Sequence, residues 1–288
     1  MSNKKYIFFD IDGTILTGES EVLPSTKEAL KMAQENGHEI FINTGRGRNI
    51  VPDVIEELNF DGIISGTGSE AEYKGKCIFR HSFSKEQINR VVDVTEKNNI
   101  AIIMSAETEC VGSSDDLPQF IELFTKGKIK TKDIKGFEDI KNLPFLKSIW
   151  PVIVDDEKSE YCNKYNGVSD FIFINSPFTV EEFNKIIGED INISKASFKD
   201  PDDFSGEITL SKCSKISGIK NLLDMIGADM KDSIAIGDGF NDVKMLKGAT
   251  LSIAMGNAPK EIKDISDYTT DDIYNDGVYK ALRHFELI

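Results

Sequence analysis

The chain has 288 residues, 40% of them hydrophobic, and its 34 Lys+Arg against 49 Asp+Glu leave a formal net charge of −15. A chain of this length buries roughly three quarters of its unfolded surface, so it needs neither disulfides nor a metal scaffold to build a core, and the composition is that of a globular protein of one large or two smaller α/β domains. The acidic balance argues against nucleic-acid and anionic-membrane partners, which ask for a basic footprint. No apolar run approaches the roughly 18 residues that span a bilayer, and the opening apolar stretch is cut short by Asp10 and Asp12. Cys77, Cys110, Cys162 and Cys213 lie far apart with no CxxC pair. They are expected as four buried thiols in a reducing, cytoplasmic compartment.

Tyr6 to Phe9 is a compact apolar run of the kind that forms a strand buried on both faces. Pro24-Ser25-Thr26 opens a helix with Ala29, Leu30 and Ala33 on one side and Gly37 as its stop. Glu39–Asn43 reads as a second strand. A helix through Val54, Ile55 and Leu58 follows, then a third strand at Gly62–Ser65. The tail repeats the rhythm: a helix from Lys215 to Ile226 stopped by Gly227, a strand at Ser233–Ile236, a short helix through Val243, Met245 and Leu246, and a strand at Thr250–Ala254. This alternation predicts an α/β fold with a Rossmann-like, doubly wound parallel sheet. From about Ser84 to Gly188 the pattern changes, with β-rich stretches at 148–154 and 171–174 and no catalytic-looking cluster. It reads as an inserted α+β domain over 84–188, leaving 1–83 and 189–288 as the core. The lysines at 126, 128, 130, 132 and 135 are expected to line a solvated face.

Two acidic constellations follow apolar strands. Asp10-Ile11-Asp12-Gly13-Thr14 comes directly after the first strand, and Gly237-Asp238-Gly239-Phe240-Asn241-Asp242 after the strand at 233–236. Ligands of parallel sheets bind outside the carboxyl ends of the strands, so both sets can reach one crevice. A calcium loop opening at Asp10 fails, because Leu16 stands where an oxygen ligand is required. Acids gathered at one point need cations: at about 4 Å and an effective dielectric near 20, each like-charged pair costs roughly 4 kcal/mol. An all-oxygen set with no His/Cys cluster favours Mg²⁺ over zinc. His38, His81 and His284 have no motif partners. Thr44-Gly45-Arg46 adds a hydroxyl and backbone N–H groups at the same sheet edge, and Lys215 opens a helix whose N-terminus already favours an anion.

These motifs, with Met245, the tail Ala254-Met255-Gly256-Asn257-Ala258 and the late Asp276-Gly277-Val278, resemble the haloacid-dehalogenase-like phosphohydrolase superfamily. The resemblance is nearest to its Cof-type, sugar-phosphatase-like members with a large α/β cap inserted after the second motif. Asn43 and Ile216 depart from it, standing where alanine and glycine are common.

The resemblance implies a Mg²⁺-dependent phosphatase of small phosphorylated metabolites, sugar phosphates foremost, acting as a monomer or homodimer. Asp10 would be the nucleophile that forms an aspartyl-phosphate, and Asp12 the general acid and then base. Mg²⁺ would sit on Asp10, the Asp12 backbone carbonyl and Asp238. Thr44 and the N–H groups of Ile11 and Gly45, with Lys215 and Asn241, would hold the phosphoryl group, with Arg46 in support. Asp242 would orient Lys215 or a metal-bound water. The inserted domain would choose the substrate. Two alternatives share the motifs: a phosphomannomutase-type phosphomutase, and a non-catalytic phosphometabolite-binding regulator.

Overall fold

The computed structural model describes residues 4–124, 129–130, 132, 152–195 and 205–288. The lysines at 126, 128 and 135 and the strand expected over 148–151 lie outside these residues. Lys130 and Lys132 are exposed, as a solvated face requires, with Lys130 paired to Glu122. Among the described residues no helix is long and apolar enough to cross a membrane. The chain forms two compact units.

The first unit comprises Met1–Gly45, Asp53–Phe79 and Cys213–Ile288. Its strands are β1 (Tyr6–Phe9), β2 (Glu39–Asn43), β3 (Gly62–Ser65), β4 (Glu70–Tyr73) and β5 (Lys76–Arg80), joined near the chain end by β12 (Ser233–Gly237), β13 (Leu251–Ala254) and β14 (Tyr268–Thr269). They form one sheet in the order β14-β13-β12-β1-β2-β3-β4-β5. Pairing is parallel from β14 through β3 and antiparallel between β3 and β4. The chain leaves β1 to build β2 on one side and returns to place β12 on the other. Strand β1 is therefore the switch point, where open α/β sheets collect their ligands.

Ile7, Phe8 and Phe9 are wholly buried, which explains an uninterrupted apolar run in place of alternation. Phe8 and Phe41 stack at 4.9 Å within a core that takes in Ile64, Ile219, Leu222 and Ala235. The helix Pro24–Glu35 has its proline in the first turn, and Gly37, at φ +89, turns the chain into β2. The helix Lys215–Ile226 is closed by a Ser214–Ser217 capping box at one end and left-handed Gly227 at the other. The helix expected through Leu58 is shorter, Asp53–Glu56, and Asn59 soon afterwards adopts φ +54, which a continuing helix cannot accommodate.

The second unit comprises Arg46–Pro52 and Arg80–Lys212. Its strands β6 (Ala101–Ser105), β7 (Cys110–Gly112), β8 (Val152–Val154), β9 (Asp170–Ile174), β10 (Ile191–Lys195) and β11 (Gly206–Leu210) form a sheet ordered β10-β11-β9-β6-β7-β8. All described pairs in it are antiparallel except β7 with β8. The unit thus runs beyond the 84–188 span read from the sequence. Gly188 ends the helix Val180–Ile187, and the chain then turns back to add β10 and β11 to the same sheet. The cysteine expectation needs one correction: Cys110, Cys162 and Cys213 are buried free thiols, but Cys77 is exposed, because it sits on β5, the sheet's last strand.

Candidate active site

The chain leaves β1 without breaking its pairing, as the Asp10 N–H donates to the Ile236 carbonyl at 3.0 Å. It then coils tightly. The Ile11 carbonyl accepts the N–H groups of Thr14, Ile15 and Leu16, and Gly13 turns at φ +86. This carries Asp10 to the buried end of the strand, 3% exposed, with Asp12 half-buried two residues on. Gly13 is required for space as well as for its backbone angle: a Cβ there would stand 2.3 Å from Asp238 Oδ2.

Beyond β12 the chain makes a short turn held by its own acid. Asp242 Oδ2 accepts the N–H groups of Asp238 and Gly239 at 3.0 and 2.9 Å. Asp242 Oδ1 accepts from Lys215 Nζ at 2.6 Å, and the same ammonium donates to Asp10 Oδ1 at 2.6 Å. Lys215 lies in the first turn of its helix, and Asn43 steadies it there by donating to the Lys215 carbonyl at 3.0 Å. Asn43, at a position where the resembled family commonly has alanine, also contacts Met245 Sδ.

Carboxylate oxygens of Asp10, Asp238 and Asp242 all lie within 4.8 Å of one another. Burial and the Asp242 charge push Asp10 well above the usual carboxylate range, against the pull of Lys215. The same two causes raise Asp238 to about 7, opposed by its hydrogen bond from Thr14. Burial alone would lower Lys215, but its contacts with Asp10 and Asp242 outweigh burial and hold the ammonium charged. When ionised, three buried carboxylates against one buried ammonium carry a charge of 1 − 3 = −2. A hard divalent cation fits this all-oxygen donor set. Since Asp242 already engages Lys215 and two backbone N–H groups, Asp10 and Asp238 are the carboxylates suited to hold it.

The other predicted residues lie on separate segments, the first of them β2. Thr44 and Gly45 are buried at its end, where the Thr44 N–H donates to the Ile64 carbonyl and its own carbonyl accepts from Thr67. Ile11 is buried and Asn241 half-buried, in the turn Phe240–Asp242. Arg46 belongs to the stretch 46–52 of the second unit, and its guanidinium donates to the Ile50 carbonyl at 3.3 Å.

Two residues given no role in the sequence reading touch the acids directly. Thr14 Oγ1 donates to Asp238 Oδ1 at 2.9 Å, and Asn257 Nδ2 donates to Asp238 Oδ2 at 3.1 Å. The available signal was position: Asn257 follows β13, the parallel neighbour of β12, so its loop leaves the sheet at the same edge.

A family model of haloacid dehalogenase-like hydrolases matches residues 7–282. The chain is 26% identical over 290 residues to the putative phosphatase YkrA of Bacillus subtilis, covering 99% of each. It is also 26% identical over 285 residues to the 5-amino-6-(5-phospho-D-ribitylamino)uracil phosphatase YcsE of the same organism, covering 98% of this chain and 96% of that one. Among solved structures, the subclass IIB sugar phosphatase BT4131 superposes with a TM-score of 0.76 at 26% identity, covering 99% of this chain and 100% of that one. A haloacid dehalogenase-like hydrolase from B. subtilis shares the fold with a TM-score of 0.79 at 22% identity, covering 97% and 99%.

Proposed function

The chain belongs to the haloacid dehalogenase-like hydrolases and is a phosphatase of that family; on that premise we propose that it hydrolyses small phosphorylated metabolites, sugar phosphates foremost, with Mg²⁺ and through an aspartyl-phosphate. The observation that carries this reading is the meeting of Asp10, Asp238 and Asp242 around the buried Lys215 ammonium.

Asp10 attacks phosphorus, forming a new P–O bond as the bond to the leaving alcohol breaks. Lys215 keeps one oxygen of Asp10 fixed and its charge balanced. Asp12, on the same loop, gives its proton to the leaving oxygen, which an alkoxide requires. It then takes a proton from the water that attacks the aspartyl-phosphate, so that Asp10 and inorganic phosphate are released. Thr44, the Ile11 and Gly45 N–H groups and Asn241 hold the equatorial oxygens. Asp10, the Asp12 carbonyl and Asp238 would hold Mg²⁺, which when bound would supply the positive charge that lets a carboxylate approach a phosphate dianion. Substrate choice is assigned to the second unit, and exchanging it for that of a relative should change the substrate profile while Mg²⁺-dependent cleavage persists.

The test is a panel of phosphorylated metabolites assayed with Mg²⁺ and with chelator, alongside Asp10→Asn. Hydrolysis that needs the metal and disappears in the variant, with the fold retained by circular dichroism, is the expected result. Full activity in chelator, or in Asp10→Asn, overturns the reading.

A further inference from the structure

We infer that Asn257 is a positioning residue that sets the Asp238 carboxylate for divalent-cation binding, a role that rests on the phosphatase reading for the identity of the cation. The half-buried Asn257 side chain makes three hydrogen bonds to three separate segments. Its Nδ2 donates to Asp238 Oδ2 at 3.1 Å and to the Gly13 carbonyl at 2.9 Å. Its Oδ1 accepts the Ile273 N–H at 3.1 Å. These partners fix the amide's orientation, because two acceptors can only meet the NH₂ and an N–H can only meet the oxygen.

The arrangement leaves the Asp238 carboxylate with one donor on each oxygen, Thr14 on Oδ1 and Asn257 on Oδ2. Two donors on opposite oxygens hold the plane of the group, so a cation meets it already oriented. The space beside Oδ2 exists only because Gly13 has no side chain, and Asn257 bonds the carbonyl of that same glycine. One amide thus ties the loop after β1 to the loop after β12.

The tie is itself braced. Strand β13 ends at Ala254, the Met255 N–H continues the ladder to the Gly237 carbonyl, and the Ala258 N–H closes a turn on the Met255 carbonyl. On the far side, the turn bearing Ile273 is fastened by the Gly277 N–H to the Asp272 carbonyl. Both supports are backbone hydrogen bonds, so the amide is presented from a rigid frame. The frame thus aims one N–H of the amide at the Asp238 carboxylate and the other at the Gly13 carbonyl.

Asn257→Ala removes the amide, and Asn257→Leu removes its hydrogen bonds while keeping the branched shape. Mg²⁺ affinity of the full chain is measured by titration calorimetry, and 4-nitrophenyl phosphate hydrolysis is followed as Mg²⁺ is varied. Both variants should bind Mg²⁺ about 10-fold more weakly or worse, with kcat recovering most of its wild-type value at saturating Mg²⁺. A folded variant that binds Mg²⁺ as tightly as the wild type overturns the assignment. So does failure of both variants to fold, which would make the contact a support of the fold. Wild-type protein that binds Mg²⁺ but hydrolyses no phosphoester overturns the phosphatase reading instead, and weaker calorimetric binding in the variants would still support Asn257.

Discussion

Lys215 Nζ donates to Asp242 Oδ1 at 2.6 Å, while the other oxygen of that carboxylate accepts two backbone N–H groups of its own loop. Asp242 is thus a joint between the helix that carries the lysine and the turn that carries Asp238. Asp242→Ala would leave both N–H groups unpaired and shift Lys215 towards Asp10 alone. Removing one partner of a fully buried pair costs about 3 kcal/mol or more. A lower denaturation midpoint and a loss of kcat exceeding the change in KM are expected. A variant that keeps wild-type stability would show that the joint is not needed.

Gly13→Ala addresses the approach of the two loops. The substitution meets φ +86 and puts a Cβ 2.3 Å from Asp238 Oδ2, so the carboxylate must swing away from Thr14 and Asn257. The backbone penalty alone is about 1 kcal/mol, which a protein of this size tolerates. Mg²⁺ affinity should fall by about 10-fold or more, as when a ligand's supporting contacts are lost. Calorimetry that finds it unchanged would mean Asp238 is not a ligand.

The acids also predict how stability depends on pH. Asp238, raised to about 7 by burial and by Asp242, stays protonated in the folded chain at pH values where the unfolded chain has already released that proton. Between the ordinary carboxylate range and about 7 the folded state holds more protons, so this contribution to stability falls as pH rises. Asp10 is shifted in the same direction. His38 and His81, lowered by burial, act in the opposite sense as pH crosses the ordinary imidazole range. Comparison with Asp238→Asn isolates the carboxylate. From about pH 5 to about pH 8, metal-free wild type should lose more in Tm than the variant, and Mg²⁺ should restore more at the higher pH, because it competes with a proton. Parallel pH curves for the two proteins would remove Asp238 from this account.

Much of this was legible in the chain because its signals are local. Tyr6–Phe9, Glu39–Asn43 and Gly62–Ser65 are buried along nearly their whole length, so unbroken apolar runs marked them. Pro24 and Gly227 marked helix ends through constraints of their own backbones. Asp10, Lys215, Asp238 and Asp242 converge as expected from their places at strand and helix ends. The edge of the second unit was not legible, since the isoleucines of β10 and β11 suit a strand in either sheet and only the pairing of β10 with β11 and of β11 with β9 decides. Nor were the contacts of Asn257, which join it to three separate segments of the chain.

Asp12 carries the last prediction. It lies two residues beyond Asp10, half-buried, on the loop that Gly13 turns. A proton donor matters most when the leaving oxygen is basic. Asp12→Ala should therefore cut hydrolysis of a sugar phosphate by roughly 10²-fold or more, and hydrolysis of 4-nitrophenyl phosphate, whose leaving group needs little help, by much less. The second half of the reaction supplies an independent reading, because the same residue would activate the attacking water. In the variant the aspartyl-phosphate should then accumulate, visible as acid-stable, hydroxylamine-sensitive phosphate on the protein after a burst of nitrophenol. Equal losses on both esters with no burst would take the proton-transfer role away from Asp12 and leave it as a support for the loop.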